Sequence, residues 1–165
     1  MGTLDLKITD SLAKVFPDEE PAGAESLRIS ALKGETVSAV VAYWGNPDER
    51  KNWKVTVDAP EGIRTRLRLV ELVPSSYPCH AHQDDNYLRT APGLFPDLLR
   101  DPDMADGAYA VQDVPGQWRS LWLDAAAETE FCGDAEIAVR FYRENGTETQ
   151  EKQVTLCLHV ADAEL

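Results

Sequence analysis

The segment Tyr77-Pro78-Cys79-His80-Ala81-His82-Gln83-Asp84-Asp85-Asn86-Tyr87 gathers two of the three histidines, two carboxylates and two aromatic rings. In an extended chain His80 and His82 point the same way, so both imidazoles can reach one divalent cation, with Asp84 or Asp85 as a third ligand. The same segment suits a sugar. Tyr77 and Tyr87 offer ring faces to the C–H side of a pyranose, while the carboxylates, Asp85 among them, and Asn86 can bond its hydroxyls. The plainer alternative is a solvated polar loop whose tyrosines anchor it to the body of the fold.

Other chemistries lack their residues. Asp84 and Asp85 are adjacent, so in extended chain they project to opposite faces and cannot flank one glycosidic bond as an acid/base pair. The sequence holds no G-x-S-x-G elbow, no Walker pattern and no G-x-G-x-x-G, and no cofactor is expected. Cys79, Cys132 and Cys157 are odd in number and without C-x-x-C spacing, which predicts free thiols rather than a disulfide framework or a zinc knuckle. Arg64, Arg66 and Arg68 form a basic stripe on one strand face, for which cross-strand pairing with Asp and Glu is the simplest use. Trp44, Trp53, Trp118 and Trp122 fit core or rim packing; Trp118 is also a candidate sugar or interdomain contact.

The elements that would position these residues are strands. Period-two alternation places Leu4, Leu6 and Ile8 on one face, then Leu27, Ile29 and Ala31, then Val37, Ala39, Val41 and Tyr43. Lys33-Gly34 between the last two reads as the turn of a hairpin. Gly45-Asn46-Pro47-Asp48 breaks the chain before Trp53, Val55 and Val57. Thr65, Leu67 and Leu69 alternate with the arginine stripe, and the phase slips at Val70 and Leu72, the mark of a bulge or of a strand that bends to change neighbours. Leu121 and Leu123 continue the pattern, followed by Ile137, Val139 and Phe141, a tight turn at Asn145-Gly146, and Val154, Leu156, Leu158 and Val160. About eight strands without an amphipathic helix predict an all-β, antiparallel two-sheet β-sandwich, immunoglobulin-like or jelly-roll-like.

Residues 1–165 are expected to form one such domain, with a long irregular insertion at about 74–117 that holds six prolines. Within it, Gly93 to Arg100 reads as a short helical turn, limited by Pro96 and Pro102. A net charge of −13 argues against nucleic acid and anionic membrane surfaces as partners. No stretch reaches the roughly 20 apolar residues of a spanning helix. The first ten residues lack a basic region followed by an apolar run, so the chain as it stands is expected in the cytoplasm.

A set of ordered pieces carries one further signal: Phe95-Pro96-Asp97-Leu98-Leu99, then Val114-Pro115-Gly116-Gln117-Trp118-Arg119-Ser120-Leu121-Trp122-Leu123, then Gly133 leading into a strand that ends at Tyr142. In order and spacing they resemble the N-terminal β-sandwich of glycoside hydrolase family 123-like proteins. Phe95 stands where those proteins have a tyrosine, and the stretch from Ala127 to Gly133 lacks their turn proline. The resemblance implies an accessory domain set before a C-terminal TIM-barrel catalytic domain, in a family whose characterised members remove terminal N-acetylgalactosamine with an Asp-Glu pair in the barrel. That pair has no counterpart in the matched stretch, so no catalytic residue is carried over. The expectation is a non-catalytic accessory domain of an N-acetylhexosaminidase-type glycoside hydrolase, supporting or completing its substrate cleft. A stand-alone carbohydrate-binding module or a structural interaction domain is the alternative.

Overall fold

The computed structural model describes residues 4–45, 48, 50–82, 85–145 and 148–164, the side chains of Asn145 and Glu148 excepted. Among these the chain forms strands and no helix. In chain order the strands are β1 (Asp5–Asp10), β2 (Ser26–Lys33), β3 (Thr36–Trp44), β4 (Asn52–Asp58), β5 (Ile63–Ser75), β6 (Gly93–Arg100), β7 (Asp103–Ala105), β8 (Ala108–Gln112), β9 (Trp118–Ala127), β10 (Gly133–Asn145) and β11 (Glu148–Glu164). They make two sheets, of order β1-β3-β9-β5-β6 and β2-β11-β10-β4-β8-β7. The expected two-sheet β-sandwich is the fold this sequence adopts.

Alternation builds the core between the sheets. Ala39, Val41 and Tyr43 of β3, Leu67 and Leu69 of β5, and Leu121 and Leu123 of β9 face Val55 of β4, Ile137, Val139 and Phe141 of β10, and Leu156 and Leu158 of β11. Full burial of each large apolar side chain contributes about 1.5–3 kcal/mol, so these residues dominate the stability of the sandwich. The five-stranded sheet also packs on its outer face. There Val40, Ala42 and Trp118, with Trp44 and Trp122 beside them, are covered by Val15 from the connection after β1. The Trp118 amide donates to the Pro17 carbonyl at 2.9 Å and ties that cover in place.

Pairing departs from expectation in three places. The segments around Leu27 and Val37 do not form a hairpin, because β2 joins β11 while β3 lies in the other sheet between β1 and β9. Gly34, at φ +76°, turns the chain across the sandwich instead. The β2 and β11 pair is also parallel, the one such ladder among the named strands. Parallel neighbours require a long connection, and the sequence distance between these strands supplies it.

The third departure is the stretch expected to be irregular from 74 to 117. It contains β6, β7 and β8, and the irregular part shrinks to 76–92. The residues read as a helical turn are strand β6. Pro96 is accommodated because β6 is an edge strand, where a missing N–H breaks no ladder on the open side. The bulge expected in β5 at Val70 and Leu72 lies instead in its partner: Glu71 pairs with Leu98 and Leu72 with Pro96, leaving Asp97 of β6 as the extra residue while β5 keeps its phase through Leu67, Leu69 and Glu71. The chain then crosses from β6 to β7 in the opposite sheet, closing this side of the sandwich. The turn expected at Asn145-Gly146 falls partly outside the described residues, but the ladder beside it runs out to Asn145 opposite Glu148.

Candidate functional site

The 76–92 loop hangs from the β5 and β6 edge and is pinned through Arg89. The Arg89 guanidinium lies 3.9 Å over the Phe16 ring and donates to Asp18 Oδ1 at 2.7 Å and Glu19 Oε2 at 3.4 Å. The hydrogen bond from Arg89 holds the Asp18 carboxyl below its ordinary value. Phe16 in turn meets Phe95 edge to face at 5.7 Å. Aromatic, cationic and strand residues thus stack into a fixed base from which the rest of the loop projects.

Between that base and the loop is a groove of about 560 Å³, walled by Phe16, Val73, Tyr87, Leu88, Arg89 and Phe95. Of the sequence candidates, Tyr87 and Asn86 line it. Tyr77 stands outside, 68% exposed, with its ring edge-on to His80 at 5.7 Å. His82 and Asp85 are exposed, and Asp84 lies outside the described residues. Among the described residues no group of three or more His, Cys, Asp and Glu is close enough to hold a metal ion. Trp118 does not join the loop. It is 8% exposed, within the outer-face cluster under Val15, with Lys7 Nζ 5.6 Å over its ring. All three cysteines are free thiols, and Cys79 Sγ sits 3.6 Å from the Thr90 carbonyl.

The arginine stripe is consumed by partners on the sheet surface. Arg66 donates to both oxygens of Asp101 at 2.9 and 3.2 Å, Arg64 reaches Glu128 at 3.6 Å, and Arg68 bonds Asp124. Burial opposes ionisation of Asp124, but hydrogen bonds from Ser38, Trp122 and Arg68 outweigh it and hold its carboxyl below the ordinary value.

A second concave site was not singled out from the sequence. At one end of the sandwich the two sheets part around a cleft of about 480 Å³, lined by Tyr43, Trp53, Glu71, Arg100 and Arg119, with Arg50, Asn52, Asp103 and Gln112 around them. Glu71 Oε1 accepts from Arg100 Nε at 2.9 Å and Oε2 from Arg119 Nη2 at 3.0 Å. Behind the wall, fully buried Asp113 accepts from the Lys51 amide at 2.6 Å and from Trp53 Nε1 at 3.1 Å. Burial pushes the Tyr43 hydroxyl far above its ordinary pKa; Arg119 opposes this, and Glu71 and Asp113 add to it, so the phenol stays neutral. The signal was present in the sequence. Glu71 continues the inward series Leu67, Leu69, and Arg119 precedes Leu121 and Leu123 in the same phase, so both charges stand at core positions.

Comparison with known proteins gives a fold and no family. Neither a protein-family profile nor a curated protein matches the sequence. Among solved structures, a family 123 glycoside hydrolase from Clostridium perfringens, described in terms of glycolipid glycan hydrolysis, superimposes with a TM-score of 0.68 at 10% identity. The likeness is one of fold. The match covers 97% of this chain and 27% of the hydrolase, so the chain spans about a quarter of the length of that protein. Weaker likenesses are to the N-terminal domain of PorA, with a TM-score of 0.48, 8% identity and coverage of 97% and 100%, and to a PapD-like domain of human CEP192, with 0.46, 10%, 96% and 87%.

Proposed function

We propose that this chain is a non-catalytic accessory β-sandwich of a glycoside hydrolase of the N-acetylhexosaminidase type, acting beside a TIM-barrel catalytic domain. The observation that carries the reading is the superposition of nearly the whole chain on a quarter-length part of a family 123 glycoside hydrolase. The 76–92 loop supports it from a different direction. Tyr77, Tyr87 and Leu88 are exposed on a segment whose base is fixed by Arg89, Phe16 and Phe95. A rigid base that projects exposed aromatics suits contact with a neighbouring domain or with the rim of its substrate cleft. In this reading Tyr77, His80, His82, Asp85 and Tyr87 form the contact, and Trp118 holds the sheet beneath it.

The test uses the native polypeptide that carries this sequence, recovered with an antibody to the sandwich. An intact mass well above 18.3 kDa, with hexosaminidase activity that co-purifies and falls when Tyr77 and Leu88 are both replaced by alanine, supports the reading. A native polypeptide of 18.3 kDa without associated activity refutes it. The groove favours one second reading, a carbohydrate-binding module. Its volume lies in the range of small-ligand sites, and Phe16, Tyr87 and Phe95 supply rings among polar neighbours. Calorimetric binding of N-acetylhexosamine oligosaccharides to the isolated chain, lost in Tyr87→Ala, would select it over the accessory role.

A further inference from the structure

We propose that the cleft between the sheets binds a sugar bearing a carboxylate, a uronic acid residue, through Arg50, Arg100 and Arg119. The site is separate from the 76–92 loop and does not depend on the reading of that loop. Its first support is placement. Glu71 and Arg119 stand where the alternation of β5 and β9 delivers side chains to the core, and Tyr43 of β3 lies opposite Arg119 in the ladder. A leucine at either position would extend the core formed by Leu69 and Leu121. The pair is only partly buried, with 28% of Glu71 and 18% of Arg119 exposed, and the fold gains little from such a pair over well-packed apolar residues, so the pair is not what the fold requires. Arg119 Nε is moreover buried without a hydrogen-bond partner, a further cost to the fold.

The chemistry of the lining supplies the second support. Three guanidiniums, from Arg50, Arg100 and Arg119, face two carboxylates, Glu71 and Asp103, so the lining itself carries one excess positive charge, with Asp113 buried behind it, in a chain of net charge −13. Glu71 occupies one donor of Arg100 and one of Arg119, the Asp101 carbonyl accepts a second from Arg100 Nη1 at 3.3 Å, and Arg50 makes a 3.4 Å contact to Gln112 Oε1. Guanidinium groups carry five donors in a planar fork that matches a carboxylate, so donors remain on all three. The amides of Asn52 and Gln112, joined by a 2.7 Å hydrogen bond from Gln112 Nε2 to Asn52 Oδ1, keep a second N–H and further lone pairs for sugar hydroxyls, and Tyr43 and Trp53 give an aromatic wall. The volume of about 480 Å³ falls among sites that take one small ligand.

The experiment is a titration of the 15N-labelled chain, read at the arginine side-chain resonances, with methyl galacturonide, its uncharged methyl ester, and inorganic phosphate. The expected result is saturable movement of the Arg119 and Arg100 signals with the uronide, at least tenfold weaker with the ester and with phosphate. The double substitution Glu71→Leu with Arg119→Leu should keep the melting temperature of the parent and lose at least tenfold in uronide affinity. Arg50→Ala, at the exposed mouth, should weaken binding several-fold in a chain that is certain to report through unchanged strand signals. Equal response to acid and ester, equal binding of phosphate, or no movement of the arginine signals overturns the proposal.

Discussion

Asp113 offers a sharp test of how the cleft wall is held. Replacing it with alanine removes the acceptor from the Lys51 amide and from Trp53 Nε1, bonded at 2.6 and 3.1 Å in a fully buried position. Each buried donor left unsatisfied costs about 1–3 kcal/mol, so with two donors stranded Asp113→Ala should lower stability by about 2–6 kcal/mol. That is a large share of the 5–15 kcal/mol typical of a domain. Gly45 faces the same carboxylate: an added Cβ would meet Asp113 Oδ2 at 2.3 Å, Cγ at 2.4 Å and Cβ at 2.7 Å. Gly45→Ala therefore forces the wall apart, at about 1–3 kcal/mol by overpacking. In the Asp113→Ala background two of those three contacts vanish, so the effects should fall short of additivity by about 1 kcal/mol or more. Urea unfolding of the two single variants and the double, followed by tryptophan fluorescence, measures the cycle. Additivity within about 0.3 kcal/mol, or a cost below about 0.5 kcal/mol for Asp113→Ala, would refute the account.

Trp118→Ala should cost about 3–5 kcal/mol in denaturant unfolding, because it empties the outer-face cluster; a near-neutral result would return Trp118 to the list of surface contacts. Asp124→Asn tests the depressed carboxyl. A lowered folded-state pKa contributes stability that is present above the unfolded carboxylate value of about 3.9 and is lost as pH falls through the folded value. The parent should therefore exceed Asp124→Asn in urea midpoint at pH 7, and the gap should narrow when both are measured near pH 3; a constant gap would break the link to ionisation. His80→Ala with His82→Ala should leave the melting temperature unchanged both with and without added zinc, and a zinc-dependent rise lost in the double variant would establish a metal site instead.

Alternation reports which face a residue occupies, and on that question the sequence was legible almost throughout. Leu121, Leu123, Ile137, Val139, Phe141, Leu156 and Leu158 are all buried as their phase requires. It does not report which strands are neighbours. Leu27 to Ala31 and Val37 to Tyr43 carry the same pattern whether they pair or face each other across a sandwich, and the Lys33-Gly34 turn signal behind the inferred hairpin serves a crossing between sheets equally well. Strand β6 was hidden by Pro96, which argues against a central strand and says little about an edge. The β7 and β8 hairpin was legible and was passed over: Asp106-Gly107 is a favoured two-residue turn, and both residues take the positive φ it needs, 52° and 78°. At the candidate loop, composition pointed to a concentration of functional groups, but contacts such as Arg89 with Phe16 join segments that no local pattern connects.

The arginines show what phase adds to composition. Arg64, Arg66 and Arg68 lie on the outward side of β5; Arg64 and Arg66 meet Glu128 and Asp101 where water screens the charge and contribute little, whereas Arg68 and Asp124 form a mostly buried pair. Arg119, one position out of step with Trp118 and Trp122, turns inward and shares Glu71 with Arg100. The β5 and β6 pair then links both concave sites. Leu69, Glu71 and Arg100 line the cleft, whereas Val73 to Ser75 and Phe95 to Asp97 line the groove under the loop. Between them sits the bulge at Asp97, where one extra residue breaks the register of the ladder. A regular ladder would present one unbroken alternation along its length; the bulge lets its two ends serve different surfaces.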